Sequence, residues 1–223
     1  MLAVISSLYH LKDVTNMRVL FAHGFEGTPE GSKPDYMREE LGWELVTPVM
    51  SELGWSIEQE TEVLLRLIDN EGPFDLVSGS SMGGLAAANA SALRPDENFS
   101  LLLIAPAFGL DELWRQGAGE EGLAKWKEEG SVQYFHNGFG HDITLDWDFF
   151  LDAEKMSWPK LNHPTVILHG TLDDVVPIEN SRKMRDEDNC VVQLIEIEDG
   201  HRMQESKTKF AESALLLGFD NVQ

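Results

Sequence analysis

Short runs of consecutive apolar residues alternate along this chain with stretches in which apolar residues recur every three or four positions. The run Arg18-Val19-Leu20-Phe21-Ala22 predicts a buried strand, ended by His23-Gly24. A loop rich in Gly, Pro and Ser follows over 27–34, then a helix around 35–41 and a second strand over 43–48. Ser56 reads as a helix cap, with Glu58-Gln59-Glu60 in the first turn and Val63, Leu64, Leu67 and Ile68 at helical spacing behind it. The third strand is expected over 74–78, a helix over 83–93, and further strands over 100–105, 165–168 and 191–197. A last helix is expected over about 205–217.

Strands alternating with helices at these lengths imply an α/β fold with a doubly wound, mostly parallel sheet of about six core strands. Runs such as Leu101-Leu102-Leu103-Ile104 fit strands covered on both faces, because strict alternation is what one solvated face would produce. Residues 108–160 break the pattern. The segment is too long for a simple crossover, shows no strand character, and holds Trp114, Trp126, Trp147 and Trp158 of the chain's six tryptophans. It is expected to form a helical cap or lid inserted after the fourth strand. Residues 17–223 then make one domain, and 1–16 read as an N-terminal extension, mildly apolar but without the basic start and long apolar core of a signal peptide.

Charge narrows the partners. The 39 acidic residues against 17 basic give a formal net charge of −22, a surface that repels phosphate backbones and anionic membranes. Neither a nucleic acid nor a membrane is expected as partner, and no apolar run reaches the roughly 18 residues of a membrane span. The single cysteine, Cys190, excludes an internal disulfide; it reads as a small buried residue opening a strand, and points to a cytoplasmic setting.

The chemistry is concentrated at three strand ends. Gly79-Ser80-Ser81-Met82-Gly83 is Gly-x-Ser-x-Gly between a strand and a helix, which places Ser81 on a sharp turn. The register is unambiguous, since a nucleophile at Ser80 would need glycine at position 78, which is Ser78. A serine needs a base, and the base needs an orienting acid. After the fifth strand comes His169-Gly170-Thr171-Leu172-Asp173-Asp174, and after the sixth Glu198-Asp199-Gly200-His201. His201 is the expected general base and Asp173 its acid, with Asp174 the obvious rival and Asp111 a distant one. Two backbone N–H groups should bind the oxyanion, from Met82 and from Phe25 in the loop after the first strand, with His23 supporting that loop. His169 reads as a structural histidine, His10 and His163 as surface or connector residues, and His136 and His141 as cap residues. No two histidines stand at metal-ligand spacing with a carboxylate in frame, so no metal and no cofactor are expected.

Together His-Gly-Phe, Gly-Ser-Ser-Met-Gly-Gly, Ala-Pro-Ala, His-Gly-Thr-Leu-Asp-Asp-Val-Val-Pro and Asp-Gly-His resemble the α/β-hydrolase superfamily over 17–217. The short chain and the loop His-Gly-Phe-Glu-Gly-Thr-Pro are similar to the small bacterial serine esterases of the YqiA type. The resemblance implies a hydrolase of carboxylic-ester or thioester bonds acting through an acyl-enzyme, and the aromatic-rich cap suggests a small-molecule substrate with an apolar acyl or aryl group. C–C or peptide-bond hydrolysis by the same triad, and a ligand-binding protein that keeps the fold without turnover, are the alternatives.

Overall fold

The computed structural model describes residues 17–219; the expectations for residues 1–16, His10 included, lie outside them. Six parallel strands form the central sheet: β1 (Arg18–Ala22), β2 (Glu44–Val46), β3 (Leu76–Ser80), β4 (Ser100–Ile104), β7 (Thr165–Gly170) and β8 (Val191–Ile197), in the order β2-β1-β3-β4-β7-β8. The order runs outward from β1 in both directions, which is the doubly wound arrangement. Successive side chains of a strand face opposite sides. Accordingly Leu101 and Leu103 of β4 pack in one apolar cluster, and Leu102 and Ile104 in the other. This explains the unbroken apolar runs.

The two clusters are covered by different helices. On one side lie Met37 of α1 (Ser32–Glu39) and Phe210 and Ala214 of α7 (Lys209–Leu216). On the other lie α2 (Ile57–Glu71), α3 (Met82–Leu93) and Met184 of α6 (Ile178–Glu187). Ser56 caps α2 as expected: its hydroxyl accepts the Gln59 N–H while the Gln59 side chain accepts the Ser56 N–H. The helix α6 has no counterpart among the expected elements. Its sequence Ile-Glu-Asn-Ser-Arg-Lys-Met-Arg-Asp-Glu buries only Ile178, Ser181 and Met184, an apolar stripe too thin for periodicity to register.

The insertion between β4 and β7 departs from the expected helical cap. It consists of α4 (Leu110–Glu129), broken at Gly119, an antiparallel hairpin of β5 (Ser131–His136) and β6 (His141–Asp146), and α5 (Trp147–Met156). The strand character denied to this segment is present, with Ile143 and Leu145 facing inward at alternate positions and Asn137-Gly138-Phe139-Gly140 making the turn. His163 lies in the connector before β7 but not on the surface, and Cys190 also departs from its expected burial. His163 is buried, stacked on Phe99 with ring centroids 3.9 Å apart and bonded to Ser91 Oγ and the Glu97 carbonyl. Cys190 is only half-buried, its thiol directed at the Leu161 carbonyl.

Glu60 on α2 is 1% exposed and its Oε2 has no hydrogen-bond partner among the described residues. Burial pushes its carboxyl well above the usual range. A carboxyl group whose native pKa is raised contributes its full stability below the unfolded-state value near 4.3, and loses it as pH climbs through the native value. Glu60→Met is therefore expected to stabilise the protein at pH 8 by about 1–3 kcal/mol, because an apolar side chain of similar length has no charge to desolvate. In thermal melts this is a Tm gain of roughly 3–8 °C. The gain should shrink towards pH 4.5, and a gain that grows on acidification would contradict the assignment.

Candidate active site

The turn between β3 and α3 is built around close backbone packing. A Cβ on Gly79 would stand 2.3 Å from the Gly83 carbonyl oxygen, and one on Gly83 would stand 2.3 Å from the His23 carbonyl oxygen. Only glycine leaves room at either position. Between them Ser81 is held at φ 57°, ψ −122°, a conformation that costs a non-glycine residue on the order of 1–3 kcal/mol. Neighbouring strand ends maintain it. The Ser81 N–H donates to the Ile104 carbonyl at 2.9 Å, and the Ser81 carbonyl accepts from Ala107 N–H at 3.0 Å and Leu85 N–H at 3.1 Å. The side chain is thereby raised above the sheet at the N-terminus of α3, whose first-turn N–H groups have no partner within the helix.

The structure brings Ser81, His201 and Asp173 together. His201 Nε2 lies 3.0 Å from Ser81 Oγ, and His201 Nδ1 lies 2.8 Å from Asp173 Oδ2. A carboxylate oxygen can only accept, so Nδ1 carries the proton and Nε2 is free to accept from the serine hydroxyl. Asp173 is buried, whereas Asp174 is exposed on the cavity rim and Asp111 sits in the first turn of α4. Asp173 Oδ1 accepts two backbone N–H groups, from Val175 at 2.9 Å and Val176 at 2.8 Å. Burial alone would raise its pKa; the hydrogen bonds of His169 and His201 and the Val176 N–H outweigh it and hold the carboxyl well below the usual range.

His169 does more than the structural role expected of it. It is fully buried, with Nε2 3.0 Å from the Val176 carbonyl and 3.2 Å from Asp173 Oδ2. Both partners accept, so Nε2 bears the proton and Nδ1 accepts from the Ser181 hydroxyl at 2.7 Å. The imidazole is locked as a donor beneath Asp173. The chain signalled this through His169 and Asp173 at the mouth of one strand, although only the fold shows that they touch. The loop bearing His201 is tied down by Asp199, which accepts from Gly200 N–H, Glu205 N–H and Ser206 Oγ.

His23 acts on the opposite wall. Its Nε2 accepts the Met50 N–H at 3.2 Å, so Nδ1 bears the proton and donates to the Gly24 carbonyl at 2.9 Å. Burial lowers the His23 pKa, in keeping with the neutral ring. Gly27 N–H donates to the same carbonyl. In a trans peptide the N–H points away from the C=O. Anchoring the Gly24 carbonyl therefore sets the direction of the Phe25 N–H.

The insertion holds the same loop from outside. His136, expected only as a cap residue, is fully buried and its Nε2 lies 2.7 Å from the Phe25 carbonyl. Glu26 accepts from Tyr134 Oη at 2.7 Å and from Asn137 Nδ2 at 2.8 Å. The Phe25 ring meets those of Trp55, Trp114, Tyr134, His136 and Phe149 at centroid distances of 5.4–6.1 Å. Tyr134, half-buried and facing Glu26, has the pKa of its phenol pushed up to about 12. His141, by contrast, is exposed at the start of β6.

Between sheet edge and insertion lies a cavity of about 1460 Å³ that opens onto Ser81 and His201. Leu110, Leu113, Trp114, Trp126 and Val132 give its outer wall an apolar character. Among the described residues no helix is long and apolar enough to cross a membrane.

A parallel sheet in this strand order, with a serine on a strained strand–helix turn and a histidine and an aspartate on later strand ends, defines the α/β-hydrolase fold. Within that fold the chain belongs to the uncharacterised protein family UPF0227, whose model matches residues 18–216. Among solved structures it is similar to α/β-hydrolase domain-containing protein 10 from mouse, with a TM-score of 0.69 and 21% identity over 90% of this chain and 86% of that one. It is also similar to Est1E from Butyrivibrio proteoclasticus, with a TM-score of 0.67 and 21% identity over 92% of this chain and 89% of that one. Lipase LipV of Mycobacterium tuberculosis is 40% identical over 58 residues, a stretch that is 26% of this chain and only 22% of the lipase.

Proposed function

We propose that this protein is a serine hydrolase of carboxylic-ester or thioester bonds in a small molecule with an apolar acyl or aryl group. The observation that carries the reading is the continuous chain of hydrogen bonds from Ser81 Oγ through His201 to the buried Asp173. The lipase named above supports ester chemistry, and the apolar outer wall of the cavity supports an apolar substituent.

In this mechanism Ser81 Oγ attacks the acyl carbonyl carbon as His201 Nε2 takes its proton. The N–H groups of Phe25 and Met82 bind the oxyanion, each such donor supplying about 3 kcal/mol of transition-state stabilisation. Asp173, held by His169 from below, keeps Nδ1 protonated and balances the imidazolium. His201 then protonates the leaving alcohol or thiol, and water attacks the acyl-enzyme with His201 again as base. Insertion residues 108–160 act as a cap that walls the acyl site.

A series of p-nitrophenyl esters from acetate to palmitate tests the reading, together with labelling by a fluorophosphonate. Turnover with a chain-length optimum and label on Ser81 are expected. A folded protein that cleaves no member of the series and takes no label would leave only a ligand-binding role.

A further inference from the structure

One wall of the cavity carries charge that the triad does not use. Lys33, in the first turn of α1, and Arg202, next to His201, both line the cavity that holds Ser81. Neither makes a salt bridge or side-chain hydrogen bond within the described residues, in a chain where acids outnumber bases 39 to 17. Arg94, Arg115, Arg182 and Arg185, in contrast, all pair with carboxylates. Lys207 stands close by, its ammonium 6.0 Å from the centroid of the Tyr36 ring.

The carboxylates on this cavity are already engaged or lie on its rim. Asp199 attracts Lys33, but its oxygens accept from Gly200, Glu205 and Ser206. Glu26 is held by Tyr134 and Asn137, and Asp174 is exposed. The unpaired charge on the cavity is thus cationic. Burial, with Lys207 and Arg202 beside it, pulls the half-buried Lys33 ammonium down to about 8 against the attraction of Asp199, so an incoming anion would favour its charged form.

We infer that Lys33 and Arg202 form an anion subsite, and that the ester accepted at Ser81 carries a carboxylate on its acyl or its alcohol part. The inference rests on the hydrolase reading. An acyl-side carboxylate is represented by the 4-nitrophenyl monoester of adipic acid, with its methyl ester as the neutral control. An alcohol-side carboxylate is represented by 4-acetoxybenzoate, with methyl 4-acetoxybenzoate as control.

For one of the two pairs, kcat/KM of the anionic ester over its control is expected to fall at least tenfold in both Lys33→Gln and Arg202→Gln. The same charge change at the exposed Arg66, Arg66→Gln, should leave the ratio within twofold. Whichever pair responds identifies the side that bears the anion. Ratios unchanged for both pairs, or lowered equally by Arg66→Gln, would overturn the subsite. Calorimetry on Ser81→Ala separates this from the hydrolase reading. Binding of the anionic ester that weakens tenfold on adding Lys33→Gln upholds the subsite even without turnover, and equal binding of anionic and neutral esters refutes it.

Discussion

Ser81→Ala is expected to lower kcat on any cleaved ester by about 10⁴–10⁶-fold, leaving the melting temperature within a few degrees of wild type. The size of the loss follows from the division of labour in such sites, where removing the nucleophile costs nearly as much as removing the whole triad. The small effect on stability follows from how the turn is held. All three hydrogen bonds that fix the Ser81 backbone are made by its own N–H and carbonyl, and alanine keeps them. A second substitution separates chemistry from strain. At φ 57° glycine relieves the cost that serine bears, so Ser81→Gly should be equally inactive yet melt above Ser81→Ala. Steady-state rates and thermal melts on the two variants decide it. More than a tenth of wild-type activity in either would remove Ser81 from the mechanism.

Asp173→Asn should lower kcat by about 10⁴-fold, and Asp174→Asn by less than about threefold. Asp173 collects hydrogen bonds from His169, His201, Val175 and Val176, all of them donors. An amide in its place presents an NH₂ to at least one of these donors and favours the His201 tautomer with the proton on Nε2, which cannot accept from serine. The same mismatch should destabilise the fold by about 1–3 kcal/mol, so rates are compared well below the variant's melting temperature. Asp174 is exposed on the rim and contributes no hydrogen bond to His201. Comparable losses in both variants, or a loss confined to Asp174→Asn, would reverse the assignment.

The strands were legible because this sheet is buried on both faces, so each core strand appears as an apolar run such as 101–104. The candidate site residues stand out in the sequence for a related reason. A parallel sheet gathers its strand C-termini on one edge, and Ser81, Asp173 and His201 all follow strand ends in the sequence. Partners that meet only through tertiary packing left no such trace. His136 against Phe25 is a single histidine with nothing local to distinguish it from a solvated one, and His169, readable as a structural histidine at a strand end, carries no sign in the sequence that it touches Asp173. The hairpin in the insertion does have a signal in the sequence. Asn137-Gly138 stands between alternating segments, a turn dipeptide flanked by strand-like residues. The length of the segment and its four tryptophans point instead to a cap, and of these Trp114 and Trp126 on α4 do pack against the hairpin.

The bonds from the β5–β6 hairpin to Phe25 and Glu26 bear on how this molecule breathes. Lifting the hairpin requires rupture of Tyr134–Glu26, Asn137–Glu26 and His136–Phe25 in one event. Hairpin and loop are therefore a single cooperative unit, and in native-state hydrogen exchange their protected amides should share one opening free energy and one denaturant slope. Every excursion that lifts the hairpin also frees the Phe25 carbonyl and the Glu26 carboxylate, while the Gly24–Phe25 peptide stays held by His23.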